Sequence, residues 1–270
     1  MRLVKGLLDR SLAALALLAQ APQWHRLSDI ASALEQQKGP AHRLLGELMA
    51  LGWVEQDPAT ERYRLTLKLA LLGQQYLRGT GLPVVVQPVL DEVARHCREL
   101  VRLTVVQGNT LHWFASAQGA APGLVYQPAM SGTPVLHATA NGKAWLASMA
   151  DDTAIGLAVV GGLGKPPALT MPALGPRALN TVAALRRELS ATRQRGYGLS
   201  VEEAEPGVKA IAVAVRALDE PDVVATMSIA GPLLRIGPER DAEFHALLRD
   251  AAQTLGSVWP RSVRALAIAA

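Results

Sequence analysis

Residues 27–65 read LSDIASALEQQKGPAHRLLGELMALGWVEQDPATERYRL, and the order of helix and turn signals in them sets the architecture of the N-terminal quarter. Ser28 precedes Asp29-Ile30-Ala31 and predicts an N-cap, its hydroxyl accepting an orphan backbone N–H, for a short helix ending near Leu34 to Gln36. Gly39-Pro40 follows, and proline suits the first helical position, where its missing N–H costs nothing. A longer helix is therefore expected from Pro40 through Leu51, stopped by Gly52. Leu44, Leu45, Leu48 and Leu51 make one apolar stripe, with His42, Arg43 and Glu47 off it. Trp53–Gln56 and Glu61–Leu65 alternate around Asp57-Pro58-Ala59-Thr60 and predict a β-hairpin, with Arg62 and Arg64 on the face opposite Tyr63 and Leu65. Ahead of these, Leu8, Leu12, Leu15 and Leu18 predict an apolar helix from about Leu7 to Ala19. The sum is the pattern of a winged helix-turn-helix, built to enter a DNA groove.

In such a motif the N-terminal end of the second helix faces the base edges. Lys38 and Arg43 are the candidates for base reading, since arginine can hold guanine O6 and N7 with two donors. Gln36, Gln37 and His42 rank behind them, and for His42 the alternative is a surface residue that touches phosphate only. Arg62 and Arg64 are expected on the DNA backbone or minor groove, the alternative being a solvated hairpin face. Arg2 and Lys5 are candidates for an N-terminal arm. Residues 1–80 hold ten Lys/Arg against seven Asp/Glu, and the rest hold 17 against 16, so most of the net +4 falls in the DNA-binding part.

A length of 270 residues fits two domains. The expected division is a DNA-binding domain at 1–66, a linker helix within 67–82, an effector domain at 83–259 and a tail at 260–270. The linker helix should run from about Leu67 to Arg78, broken by Gly79-Thr80-Gly81-Leu82-Pro83. Helices are then expected at Val86–Arg98, Ala140–Ala150, Val182–Gly196 and Pro238–Val258. Strands are expected at Leu100–Gln107, Thr110–Ala117, Leu124–Pro128, Gly207–Leu218 and Val223–Ala230, with a turn at residues 219–222, giving an α+β class. No apolar run approaches a membrane span, no secretory leader is evident, and the single Cys97 fits a reducing compartment, so a soluble cytoplasmic protein is expected.

Enzyme signals are missing. The six histidines are scattered and no Gly-x-Ser-x-Gly elbow occurs. Gly161-Gly162-Leu163-Gly164-Lys165 lacks the first glycine of a phosphate loop, and Pro166 replaces its hydroxyl residue. Glu202 and Glu203 are expected to order a loop or face solvent, and His137 to order its loop through backbone hydrogen bonds. No catalytic residue, metal or cofactor is expected. The alternative is a small-molecule-binding or catalytic domain carrying a vestigial winged domain.

Five segments in order resemble the IclR family of bacterial transcription regulators. They are DIASALEQQKGPAHRLLGELMALGWVEQD, RYRLTLKLALLGQQYL, PVLHATANGKAWLA (Pro134 to Ala147), RQRGYGLSVEEAEPGVKAIAVAV (Arg193 to Val215) and MSIAGP (Met227 to Pro232). The resemblance implies a homodimer or homotetramer on a palindromic operator, and a GAF-like C-terminal domain with a curved antiparallel sheet flanked by helices. It also implies a small organic effector held near Leu136, Ala140, Asn141, Ser200, Ala210, Ser228 and Ala230, its carboxylate at the helix start near Ala140 to Gly142. Two departures follow. Members usually carry Lys-Ser-Thr where this chain has Lys38-Gly39-Pro40, which predicts a different operator or weaker binding per half-site. Family pockets for small oxo-acids carry an Asp, a Cys and a second Ser where this chain has Ser200, Ala210 and Ala230. That predicts a larger, more apolar ligand such as an aromatic acid, the alternative being a degenerate pocket filled by core alanines.

Overall fold

The computed structural model describes residues 6–128, 130, 132–165, 174–218 and 220–263. Arg2 and Lys5 of the expected arm, Pro166, Asp219 and tail residues 264–270 lie outside them. The chain divides into two compact units, residues 1–79 and 80–270.

The first unit contains α1 (Leu7–Gln20), α2 (Leu27–Ala33), α3 (Lys38–Ala50), the hairpin β1 (Val54–Gln56) and β2 (Tyr63–Leu65), and most of α4 (Lys68–Thr80). Its core joins Ala14, Leu18, Ile30, Leu34, Leu44, Leu45, Leu48, Val54 and Tyr63. The inner face of α1 is thus set by Ala14 and Leu18. Leu8 and Leu12, expected on the apolar stripe, are 72% and 58% exposed, because the helix presents its small Ala14 side to α2, α3 and β2. Ser28 is not the cap. Helix α2 starts at Leu27 behind Arg26, with no side-chain cap, and the Ser28 hydroxyl donates to Asp29 Oδ1 at 3.1 Å. Helix α3 starts at Lys38, which leaves Pro40 still within the first turn, where an N–H has no intrahelical partner. Gly52 takes φ +73° just past the helix end. The hairpin pairs Val54 with Leu65, Glu55 with Arg64 and Gln56 with Tyr63, and His25 exchanges two 2.8 Å backbone hydrogen bonds with Tyr63.

The second unit contains α5 (Leu82–Cys97), β3 (Leu100–Gln107), β4 (Thr110–Gln118), α6 (Ala140–Leu146), α7 (Asp151–Val160), α8 (Val182–Arg195), β5 (Gly198–Val201), β6 (Val208–Arg216), β7 (Val223–Pro232), a 3-10 turn (Pro238–Arg240) and α9 (Asp241–Val258). The five strands form an antiparallel sheet in the order β4-β3-β7-β6-β5. Successive strand residues face opposite sides. Val101 and Leu103, Ile211, Val213 and Val215, and Ala225, Met227 and Ile229 join α5 and α9 in the main core. The alternate positions carry Arg102 and Thr104, Ala210 and Ala212, and Thr226, Ser228 and Ala230. The register lines these up across the sheet as Ala212–Ser228–Arg102 and Ser200–Ala210–Ala230. A register shift after Leu103 pairs Thr104 with Trp113, which puts Trp113 rather than Phe114 on this second side.

Several expected elements differ. Residues 124–128 form no strand: Gln118 Nε2 donates to the Tyr126 carbonyl at 3.0 Å and Arg235 to that of Leu124, so side chains take the place of a ladder. The expected helix to Ala150 stops at Leu146, and α7 begins at Asp151 with two acids in its first turn. Strand β5 is short and pairs with β6 alone.

Helix α6 lies hard against β5, where a Cβ added at Gly198 would fall 2.3 Å from the Ala140 carbonyl oxygen and 2.8 Å from Ala144 N. Gly198→Ala is therefore expected to destabilise the unit by about 1–3 kcal/mol through overpacking. Calorimetry should show a Tm several degrees lower, and an unchanged Tm would mean that α6 can move away freely.

Candidate functional site

The outer side of α3 carries the residues expected to meet DNA. Gln37, Lys38, His42 and Arg43 are all exposed. Lys38 and His42 are four residues apart and share a face, as do Gly39 and Arg43. A Cβ at Gly39 would meet nothing within 4 Å, so this end of the helix is open. Gln36 is half-buried, its Nε2 buried without a hydrogen-bond partner among the described residues.

The hairpin splits the two wing cations. Arg64 lies opposite Glu55 in the ladder, its Nε 2.5 Å from Glu55 Oε1, and its guanidinium sits 4.2 Å from the Trp24 ring centre. Arg62 is half-buried and forms no ion pair with the described residues. Lys68, at the start of α4, donates to the Leu51 carbonyl at 2.7 Å and lies 4.6 Å from the Trp53 ring centre, which joins the end of α3 to the start of α4.

In the second unit a cavity of about 310 Å³ opens on the second side of the sheet. Ala140, Asn141, Ser200, Ala210, Ser228 and Ala230 line it, together with Arg102, Trp113, Tyr126, Glu205 and Val208, among others. Leu136 does not: its side chain packs with Trp145, Leu146, Leu185 and Leu189. The helix start closes tightly on the Leu136 backbone, which lies 2.4 Å at Cα from a Cβ added at Gly142.

Most of the polar groups expected to meet a ligand are committed to the protein. The Ser200 hydroxyl donates to the Ala138 carbonyl at 2.8 Å, and Asn141 Nδ2 to Thr226 Oγ1 at 2.9 Å. Thr226 Oγ1 in turn lies 2.6 Å from Thr104 Oγ1. Thr139 Oγ1 caps α6, accepting from Gly142 N at 3.1 Å while donating to the Val135 carbonyl. One amide of the expected Ala140–Gly142 anion site is thus already taken.

The residues missed from the sequence carry the charge. Arg102 is buried, and its guanidinium stacks 3.3 Å from the Trp113 ring centre. Burial pushes its pKa down to about 10, with Tyr126 and Glu205 opposing, so it stays cationic at neutral pH. Tyr126 donates its phenol to Glu205 Oε1 at 2.8 Å, and burial first, then this bond, pushes the phenol pKa up. A lone arginine within LVRLTVVQ was the available signal; nothing local marked Tyr126 or Glu205.

On α6 the fully buried Lys143 donates to Glu203 Oε1 at 2.6 Å and to the Leu199 carbonyl at 2.7 Å, with Glu188 Oε1 at 3.5 Å. Glu203, expected in a loop-ordering or solvent-facing role, is buried in this pair; burial raises its pKa and Lys143 opposes the rise. Glu202 does order the loop, accepting Gly207 N at 3.2 Å. His137 is buried, but its Nδ1 has no hydrogen-bond partner among the described residues, contrary to the expected backbone bonds. Burial, then Lys143, lowers its pKa. Among the described residues no group of three or more His, Cys, Asp or Glu is placed to hold a metal ion, and no helix is long and apolar enough to cross a membrane.

Comparison with known proteins adds the following. The family profile described as the IclR helix-turn-helix domain matches residues 7–58, and that of the bacterial transcriptional regulator IclR C-terminal matches residues 74–257. The glycerol operon regulatory protein of Streptomyces griseus is 34% identical over 239 residues, 86% of this chain and 87% of that protein. The crystal structure of an IclR transcriptional regulator from Alicyclobacillus acidocaldarius superposes with a TM-score of 0.77 at 23% identity, covering 93% of this chain and 97% of that one. An IclR homologue from Microbacterium hydrocarbonoxydans complexed with 4-hydroxybenzoate gives 0.71 at 24% identity, covering 93% and 98%.

Two measurements check the buried charges. Lys143→Met strands the Glu203 carboxylate and is expected to cost about 3–5 kcal/mol in denaturant unfolding, most of it recovered by adding Glu203→Leu; a single variant as stable as the wild type would contradict the buried pair. His137 resists protonation when folded and takes a proton near its ordinary 6.5 when unfolded. Its contribution is therefore complete above that value and lost as pH falls below it. The Tm should drop as pH falls below about 6.5, and His137→Gln should flatten part of that slope, with His245, lowered by burial and then by Arg249, accounting for some of the remainder.

Proposed function

The chain belongs to the IclR family of bacterial transcription regulators and is a regulator rather than an enzyme; on that premise we propose that it is a ligand-responsive cytoplasmic regulator of a palindromic operator. In this reading α3 enters the major groove, Lys38 and Arg43 reach base edges, Gln37 and His42 assist, and Arg62 and Arg64 serve the wing. The open, uncommitted face of α3 is the observation that carries it. Gly39 and Pro40 offer no side-chain hydroxyl to phosphate, which favours an operator unlike that of members with Lys-Ser-Thr.

The cavity of the second unit then takes a small organic acid, aromatic in class, against Ala140, Asn141, Ser200, Ala210, Ser228 and Ala230. The small residues on the sheet side of the cavity favour a flat ligand, and the 4-hydroxybenzoate complex of the Microbacterium homologue supports the class. A ligand changes DNA affinity only by as much as it prefers one arrangement of the winged domains. We assign that coupling to the linker helix α4, which exposes Leu71, Leu72 and Tyr76 (62%, 46% and 69%), an apolar side that suits a homodimer or tetramer.

A gel-shift titration with DNA from upstream of the gene tests this. Arg43→Ala should cost about 1–3 kcal/mol and relax base preference at one position. Arg62→Ala should weaken all sequences alike and reduce the slope of log affinity against log salt by about 1. Retardation without sequence preference would favour the vestigial-domain alternative, and a monomer on gel filtration at micromolar concentration would remove the dimeric reading.

A further inference from the structure

Three observations in the cavity point to how a ligand would be oriented, and they rest on reading it as an acid-binding site. First, several side-chain donors already serve the protein: Ser200 donates to Ala138, an amide N–H of Asn141 to Thr226, the Thr139 hydroxyl to Val135, and the Ser228 hydroxyl to the Arg102 carbonyl at 3.5 Å. Second, among the described lining residues Arg102 is the cation, held flat against Trp113 on the floor of the sheet. Third, Glu205 is the anion among them, and it is already an acceptor, taking the Tyr126 phenol at 2.8 Å.

We propose that Arg102 is the anchor for the acid group of the ligand, in place of the α6 N-terminus, and that Glu205 selects acids that also carry a hydrogen-bond-donating hydroxyl. The guanidinium is planar and presents donors in a fork that matches a carboxylate, and stacking on Trp113 fixes that plane in advance. A cation kept charged in a dry wall gains most from an anion brought to it, because little water screens the pair. Glu205 has no proton to offer while ionised, so a second carboxylate near it is repelled and a hydroxyl is attracted. The cavity therefore discriminates by two charges of opposite sign: one requires the acid, the other the hydroxyl.

The test uses the full-length protein, isothermal calorimetry and three probes that differ by one group: 4-hydroxybenzoate, 4-hydroxybenzamide and benzoate. The wild type should prefer 4-hydroxybenzoate to the amide and to benzoate by about tenfold or more in each case. Arg102→Gln should bring the acid-to-amide ratio close to one while leaving the hydroxyl preference, and Glu205→Gln should do the reverse. Arg102→Lys, which keeps a charge where the glutamine variant fails to fold, should retain the acid preference in weakened form. A wild type that binds the amide as tightly as the acid overturns the proposal with no variant needed. Unchanged ratios in Arg102→Gln overturn the anchor while leaving the acid-responsive reading intact. If no organic acid in a panel shifts the melting of the wild type, the wider reading falls and this one with it.

Discussion

A strand can bury two different surfaces only because its side chains alternate, and the second unit depends on that rule. In the middle of β3, β6 and β7 the odd-numbered positions Val101, Leu103, Ile211, Val213, Val215, Ala225, Met227 and Ile229 are apolar and join α5 and α9 in the main core. The even-numbered positions between them hold Arg102, Thr104, Ala210, Ala212, Thr226, Ser228 and Ala230, and the register brings even to even between β3 and β7 and, as far as Val215, between β6 and β7. A slip of one residue would place the arginine in the aliphatic core and leave leucine and isoleucine lining the cavity. The cost of burying a guanidinium among hydrocarbon opposes that slip, so Arg102 contributes to register as well as to the cavity.

The loop between β5 and β6 shows how buried charge shapes the site. Glu203 is drawn inward to Lys143, which is covered on all sides and also donates to the Leu199 carbonyl. Two residues later Glu205 turns to the cavity and receives Tyr126. The intervening backbone is fixed by hydrogen bonds from Gly175 to the Glu203 carbonyl and from Arg177 to that of Glu202, at 2.8 and 3.1 Å. The acidic run is thus a loop-ordering carboxylate at Glu202, a buried one at Glu203 and a cavity one at Glu205, separated by the direction each side chain takes.

Much of the architecture was legible because it is periodic. The strand at Leu100–Gln107 and the helix start at Val182 lie where they were expected, and Gly52 stops α3 as its position suggests. The failures share a cause. Strand β5 is too short to alternate, α7 is apolar on most sides, and residues 124–128 look like a strand but are held by side chains from Gln118 and Arg235. The same holds at the sites. Exposure of Lys38, His42 and Arg43 follows from the stripe of leucines beside them, whereas the engagement of Arg64 by Glu55 and Trp24 needs cross-strand register and a residue outside the hairpin. Leu136 fell on the wrong side: its backbone is pressed against Gly142 of α6, while its side chain joins the cluster of Trp145 and Leu185.

The shift between Leu103 and Thr104 has a consequence for how such a protein diversifies. It brings an indole up beneath the arginine without disturbing the phenylalanine beside it, which still packs on the hydrocarbon layer. Chemical taste and mechanical sturdiness are therefore written in alternate letters of the same strands. A substitution in one set can change what the cavity accepts while the other set keeps the molecule upright.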